Sequence, residues 1–218
     1  MKHLKKALYL LVFVGCSVSF AGSYDDFFSA LQRDNAPQVQ SILQRGFDPN
    51  SISAQGEPAL LLALHGDALA VAQVLIAHPA TQVEVRTAKD ESPLMLAAIK
   101  GQLALCRQLI ERDADVNKTG WTPLHYAASG GRVEVLQLLL EHYAYIDAES
   151  PNGSTPLMMA AMYGSSEAVR TLLEAGADPT IKNAQGLTAL DFAGKVQHQE
   201  SLDYIARAIR AKAPAGSW

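Results

Sequence analysis

A short segment recurs three times in this chain at nearly constant spacing, and it restricts the possible folds more than any other feature. Its copies are SPLMLAA at 92–98, TPLHYAA at 122–128 and TPLMMAA at 155–161. Pro123 lies 30 residues after Pro93, and Pro156 lies 33 residues after Pro123. A period near 33 residues indicates a repeat protein, in which similar units stack side by side.

Each copy of the segment carries the signals that start and stop a short helix. Thr122 suits an N-cap because its hydroxyl can accept a hydrogen bond from a free amide of the first turn. Pro123 suits the first helical position, where no amide donor is needed. Ala127 and Ala128 keep the helix slim, so that neighbouring units can approach closely. Gly130-Gly131 then ends it, which predicts a first helix of about two turns.

The stretch after Gly131 predicts a second helix that is too apolar to stand alone. Its apolar residues are Val133, Val135, Leu136, Leu138, Leu139 and Leu140. Such a helix has to be covered by the units on either side, so a single unit is not expected to fold by itself.

The motif Thr122-Pro123-Leu124-His125-Tyr126-Ala127 resembles the signature of the ankyrin repeat. The resemblance implies an all-α fold, an ankyrin-repeat solenoid of stacked helix-turn-helix units joined by β-hairpin-like loops, with capping helices at both ends. It also implies that His125 forms hydrogen bonds near the helix cap. Ankyrin domains bind through variable positions, so the motif by itself does not name a partner.

The resemblance covers about residues 24–212, and together with the residues at both ends of the sequence it predicts the following organisation. We expect a signal peptide at 1–21, a repeat domain at 22–212 and a flexible tail at 213–218. Within the domain we expect a cap at about 24–50, whose Gly46-Phe47-Asp48-Pro49-Asn50 resembles the family's G-A-D-x-N sequence. Repeats are predicted to start near 54, 89, 119, 152 and 185.

Two departures from the period predict local irregularities. With Pro58 as the motif proline of the second unit, Pro93 follows after 35 residues, and Pro123 after only 30. We therefore expect a long hairpin followed by a clipped one, through sequence drift or for a function. Tyr143 also stands where Gly176 stands in the next repeat, at a position that usually needs positive φ, which disfavours a side chain.

The amino-terminal residues predict export. Met1–Lys6 is basic, Ala7–Val14 is apolar but too short to cross a bilayer, and Ser19-Phe20-Ala21 fits a signal-peptidase site. Cleavage after Ala21 is the first expectation, and lipidation at Cys16, which follows Gly15, is the alternative. Cleavage after Ala21 would leave Cys106 without a partner for a disulfide. We expect Cys106 in the core because it occupies the same place in its second helix as Leu136 and Val169.

Sequence motifs for catalysis or for metal binding are absent. The six histidines are scattered, and there is no HExxH, CxxC, GxSxG or glycine-rich phosphate loop. Beyond residue 21 the chain has 15 basic and 22 acidic residues, which does not favour nucleic acid. We therefore expect no enzymatic activity, no cofactor and no bound metal.

Counting from each motif proline gives the positions that face outward in ankyrin repeats. They are Lys89, Glu91, Ile99 and Lys100; Lys118, Thr119, Trp121 and Ser129; Asn152, Ser154, Met162 and Tyr163; and Gln185 and Leu187. Large side chains at three of these positions, ringed by polar ones, suit a protein interface. The alternative is that Trp121, Met162 and Tyr163 pack against their own hairpins.

Together these expectations describe a monomeric, non-catalytic binding module of the bacterial periplasm, which holds a folded protein partner in a concave groove. Resemblance to short periplasmic ankyrin proteins implies two kinds of partner: an enzyme that the module assists, such as a catalase, or a toxin that it neutralises. The alternative function is that of a structural scaffold of the envelope, tethered by lipid at Cys16.

Overall fold

A computed structural model describes residues 22–212 of the chain. The predicted signal peptide, Cys16 and the predicted tail lie outside the described residues. Twelve helices and no β-strand occur in the described part. The helices are 22–32 (α1), Ala36–Gln44 (α2), Ala59–His65 (α3), Leu69–Ala77 (α4), Pro93–Lys100 (α5), Leu103–Glu111 (α6), Pro123–Ser129 (α7), Val133–Glu141 (α8), Pro156–Tyr163 (α9), Ser166–Glu174 (α10), Ala189–Lys195 (α11) and Gln199–Lys212 (α12).

The chain divides between residues 82 and 83 into two compact units. In the first unit α4 packs against α2 and α3. In the second unit the first helices form one layer, with α5 on α7, α7 on α9 and α9 on α11. The second helices form another layer, with α6 on α8, α8 on α10 and α10 on α12. This arrangement confirms the predicted all-α class of stacked helix pairs.

The first helices of the second unit start as the motif predicts. Their N-cap hydroxyls accept a hydrogen bond from the backbone amide three residues later, at 3.2 Å for Ser92 and at 3.4 Å for Thr122, Thr155 and Thr188. Because these bonds use amides that the helix leaves free, each one stabilises the start of its helix.

The helix of the degenerate unit begins one residue later than the motif predicts. Pro58 occupies the N-cap position, where it makes no side-chain bond, and Ala59 is the first helical residue. The assignment of Pro58 as the motif proline is therefore wrong. Measured from Ala59, the spacing to Pro93 is 34 residues, so the connection exceeds a 33-residue period by one residue and not by two.

Small residues let neighbouring first helices approach closely at their carboxyl ends. A Cβ atom on Gly130 would collide with the carbonyl oxygen of Ile99, and one on Gly164 would collide with the carbonyl oxygen of Ala128. These contacts join α7 to α5 and α9 to α7. They explain why the chain has glycine where the first helices end.

The second helices contribute buried residues to the core between neighbouring repeats. Cys106, Leu136 and Val169 occupy equivalent positions in α6, α8 and α10, and all three are fully buried. Burial raises the pKa of the Cys106 thiol to about 12, which keeps it protonated and unreactive. This confirms the prediction that Cys106 belongs to the core.

Candidate protein-binding face

The connection before each first helix is called a finger here, and a short backbone hydrogen bond closes most fingers. In three fingers a backbone amide donates to the backbone carbonyl oxygen four residues later, at a distance of 3.0 Å. The pairs are Thr87 with Glu91, Ser150 with Ser154 and Asn183 with Leu187. We call the fingers of the second unit, together with the solvent side of α5, α7, α9 and α11, the finger-and-helix face. It contains the predicted binding residues.

Five of the positions predicted to face outward are exposed to solvent. They are Lys89, Thr119, Asn152, Tyr163 and Gln185. Tyr163 is 65% exposed although it ends α9, whose first six residues, Pro156 to Ala161, are buried. A large aromatic side chain is thus presented to solvent by a rigid support.

Trp121, Lys100 and Met162 are half-buried. The indole ring of Trp121 meets the imidazole ring of His125 edge to face, with 5.3 Å between the ring centroids. Trp121 therefore packs partly against the first helix of its own repeat, and only part of its surface is open to a partner.

Glu91 has a structural task in addition to any role in binding. Its carboxylate accepts a hydrogen bond from the hydroxyl of Thr87 at 3.1 Å and another from the phenol of Tyr126 at 3.0 Å. Burial and the neighbouring Glu91 carboxylate raise the pKa of Tyr126, so its proton stays in place. The pair joins one finger to the first helix of the next repeat.

Two residues that were predicted to face outward are buried instead. Lys118 is 8% exposed because its ammonium group folds back to pair with Asp90 and donates to the carbonyl of Thr119 at 2.9 Å. The hydrogen bond from Lys118 lowers the pKa of Asp90. Ser154 is fully buried, and its carbonyl oxygen lies 2.9 Å from the imidazole of His125 in the preceding repeat. The predicted outward positions of Lys118 and Ser154 are therefore wrong.

His125 forms the predicted hydrogen bond near the helix cap, and it also joins two successive repeats, which the sequence analysis did not predict. Its Nδ1 atom lies 2.9 Å from the Thr122 hydroxyl and 3.2 Å from the Thr122 amide, and its Nε2 atom lies 2.9 Å from the Ser154 carbonyl oxygen. Burial lowers the pKa of His125 from 6.5 to about 4. The ring is therefore neutral, with the Nε2 hydrogen donated to Ser154 and Nδ1 accepting from Thr122.

A set of side-chain-to-backbone bonds also joins neighbouring repeats, and sequence reasoning missed it. We call it the loop ladder. A side-chain oxygen just before each finger accepts from a backbone amide one repeat later, at 2.8 to 3.0 Å. The pairs are Asn50 with Gln82 in the first unit, and Glu84 with Asp115, Asn117 with Tyr145 and Asp147 with Asp178 in the second. Glu84, Asn117 and Asp147 recur at spacings of 33 and 30 residues, a signal that could have revealed them.

Residues 22–212 contain no group of His, Cys, Asp and Glu able to hold a metal ion. In the same residues, none of the helices has the length and apolar character that crossing a membrane requires. An open groove of about 560 Å³ lies where α10 and α12 meet, and it is lined by residues including Arg170, Tyr204 and Arg207.

Comparison with known proteins gives consistent matches. Family models described as ankyrin repeats match residues 27–119, 79–150 and 139–193. The chain is 41% identical over 70 residues to the 2-5A-dependent ribonuclease of Mus musculus, and 32% identical over 123 residues to Neurogenic locus notch homolog protein 2 of Homo sapiens. These matches cover 30% and 55% of this chain but only 10% and 5% of those proteins.

Among solved structures, an ankyrin repeat domain from Acinetobacter baumannii AYE superposes with a TM-score of 0.72 at 26% identity. The match covers 84% of this chain and 96% of that domain. The similarity therefore extends over nearly the whole bacterial domain, whereas this chain matches only a tenth or less of the length of the two animal proteins.

Proposed function

The chain belongs to the ankyrin-repeat family, and from this membership we propose that its finger-and-helix face holds a folded protein partner. Ankyrin repeats act as protein–protein interaction modules and are generally non-catalytic scaffolds. The observation that carries the proposal is Tyr163, a 65% exposed aromatic side chain at the end of a helix that is otherwise almost entirely buried. Exposed aromatic residues on a rigid support are typical binding hot spots.

The hydrogen bonds between repeats support the proposal because they fix the face before a partner arrives. His125 joins α7 to the finger of the next repeat, and Tyr126 joins α7 to the finger of the previous one. A face that is already ordered loses little conformational entropy on binding. The flanking residues Lys89, Asn152 and Gln185 supply the polar rim that interfaces require.

We also propose where the protein acts in the cell. The basic and apolar start of the sequence and the small residues before position 22 support export to a bacterial periplasm, with cleavage after Ala21. The mass of the mature protein tests this step. A mass equal to that of a chain beginning at Gly22 supports export with cleavage. If the protein is labelled by palmitate and Cys16→Ala abolishes the labelling, the alternative, a lipid-anchored scaffold, is supported.

Two partner classes follow from the resemblance to short periplasmic ankyrin proteins: an enzyme that the module assists, for instance a catalase, or a toxin that it neutralises. Affinity capture from periplasmic extract with mass spectrometry tests the proposal. The Tyr163→Ala variant should no longer capture the partner that the wild-type protein captures. Gln137→Ala, an exposed position on α8 in the layer of second helices, should retain it. Equal capture by both variants would contradict the proposed face.

A further inference from the structure

The loop after α8 displays two tyrosines that the proposed function does not use. We call residues 142–147 the tyrosine loop. Tyr143 is 86% exposed and Tyr145 is 68% exposed, more than any other large apolar side chain in the described chain. Aromatic surface of this extent is unusual on a rigid loop unless something covers it.

Both tyrosines stand where the next repeat has residues that stabilise the loop. Tyr143 has φ +63°, and its counterpart Gly176 has φ +102°, a conformation that favours glycine. Tyr145 corresponds to Asp178, whose carboxylate accepts a hydrogen bond from the amide of Thr180 at 2.9 Å. The tyrosine loop therefore lacks the glycine at positive φ and the aspartate hydrogen bond of the next repeat, and neither of its aromatic rings is buried.

The loop ladder holds the tyrosines in place. The side-chain amide of Asn117 donates to the carbonyl of Tyr143 at 2.8 Å, and the amide of Tyr145 donates to the side-chain oxygen of Asn117 at 2.8 Å. The backbone between the two aromatic rings is therefore anchored to the previous repeat. Both rings are presented to solvent from a fixed base.

The surroundings of the tyrosine loop are acidic. Residues 111–117 and 141–149 contain one arginine, Arg112, one histidine, His142, and no lysine, against six acidic residues. These are Glu111, Asp113, Asp115, Glu141, Asp147 and Glu149. The Asp115 carboxylate accepts a hydrogen bond from the backbone amide of Asn117 at 2.9 Å. Its negative charge therefore lies next to Asn117, the residue that holds the backbone of both tyrosines.

We propose that the tyrosine loop is a second interaction surface, which binds a basic protein surface rich in arginine. A guanidinium group stacks well on a tyrosine ring, and the surrounding carboxylates attract the same cation. The combination of exposed aromatic rings with negative charge is complementary to such a surface, and it repels an acidic one. The proposal is independent of the finger-and-helix face.

The test restores the regular repeat residues with Tyr143→Gly and Tyr145→Asp. Fluorescence anisotropy at low ionic strength measures binding to a labelled peptide of repeating Gly, Ser and Arg, and to its counterpart with Glu in place of Arg. We expect the wild-type protein to bind only the arginine peptide, and the double variant to bind it about tenfold more weakly. Because Tyr145→Asp adds a negative charge, simple charge attraction predicts unchanged or tighter binding instead.

Two controls make the result decisive. Tyr143→Phe with Tyr145→Phe keeps both rings and should keep the affinity for the arginine peptide, and Tyr163→Ala should leave it unchanged because Tyr163 lies on the other surface. Full affinity in the Gly/Asp variant would overturn the proposal. The proposal would also be overturned if the wild-type protein bound both peptides equally. The same holds if the wild-type protein bound neither peptide but formed a dimer that the Gly/Asp variant does not form.

Discussion

The Nε2 atom of His125 lies 2.9 Å from the carbonyl oxygen of Ser154, and this bond connects the motif of one repeat to the finger of the next. Both residues are fully buried. The histidine of the motif is thus a link between repeats, and its protonation would break the pattern of donors and acceptors around it.

The buried imidazole makes stability depend on pH. The pKa of His125 is about 4 in the folded protein and 6.5 ordinarily, so the unfolded chain binds the proton first as the pH falls. Stability is fully present above pH ~6.5 and should decrease by about 2 to 3 kcal/mol between pH 7.5 and 4.5. Urea unfolding at both values measures this. His125→Gln should be less stable at pH 7.5 and have a flatter profile; an unchanged profile would contradict the assignment.

Replacing Tyr143 with glycine should stabilise the protein. Tyr143 has φ +63°, where a side chain costs about 1 to 2 kcal/mol relative to glycine, and its exposed ring makes little compensating contact. Thermal unfolding should show a higher melting temperature. His142→Gly is the matched control, since His142 has φ −96° and should gain nothing from the change. A lower melting temperature for Tyr143→Gly would show that the ring packs in solution.

Two glycines should respond in opposite ways to alanine. Gly164→Ala would place a Cβ atom against the carbonyl oxygen of Ala128 and should destabilise by about 2 to 4 kcal/mol. Gly194, within α11, has open space around the position of a Cβ atom, and Gly194→Ala should stabilise by about 0.5 to 1 kcal/mol. Chemical denaturation compares the two variants. Similar effects at both sites would contradict the close approach of α7 and α9.

The loop ladder predicts a difference between two asparagines. Asn117→Ala removes two hydrogen bonds to the next repeat and should lower the free energy of unfolding by about 1 to 2 kcal/mol. In the described part of the chain, the hydrogen bonds of the Asn152 side chain join it to Ser150 and Ser154 of its own finger, so Asn152→Ala should cost about 0.5 kcal/mol or less. Equal losses would mean that the ladder adds no coupling between repeats.

The repeat motif was sufficient to predict the helix pairs, the caps at Thr122 and Thr155, the buried Cys106 and the positive φ of Tyr143. These features follow from local chemistry that recurs in every copy. The register of the degenerate unit was wrong because proline fits an N-cap as well as a first helical position, and the sequence around Pro58 does not distinguish the two.

The binding face was harder to predict because it depends on contacts between repeats. Counting from the motif proline assumes fingers of standard length, and the clipped finger folds Lys118 back onto Asp90. The bond from Tyr126 to Glu91 spans 35 residues and has no counterpart in the motif. Such pairs become visible only when the packing of neighbouring repeats is known.

Site-specific photo-crosslinking in cells tests the central claim most directly. A photoreactive amino acid is placed at Tyr163 or Gln185 on the finger-and-helix face and, as controls, at Arg107 or Gln137 on the exposed sides of α6 and α8. The account predicts one crosslinked protein partner from the first two positions and none from the controls. Crosslinks to that partner from Arg107 or Gln137, with none from Tyr163 or Gln185, would contradict it.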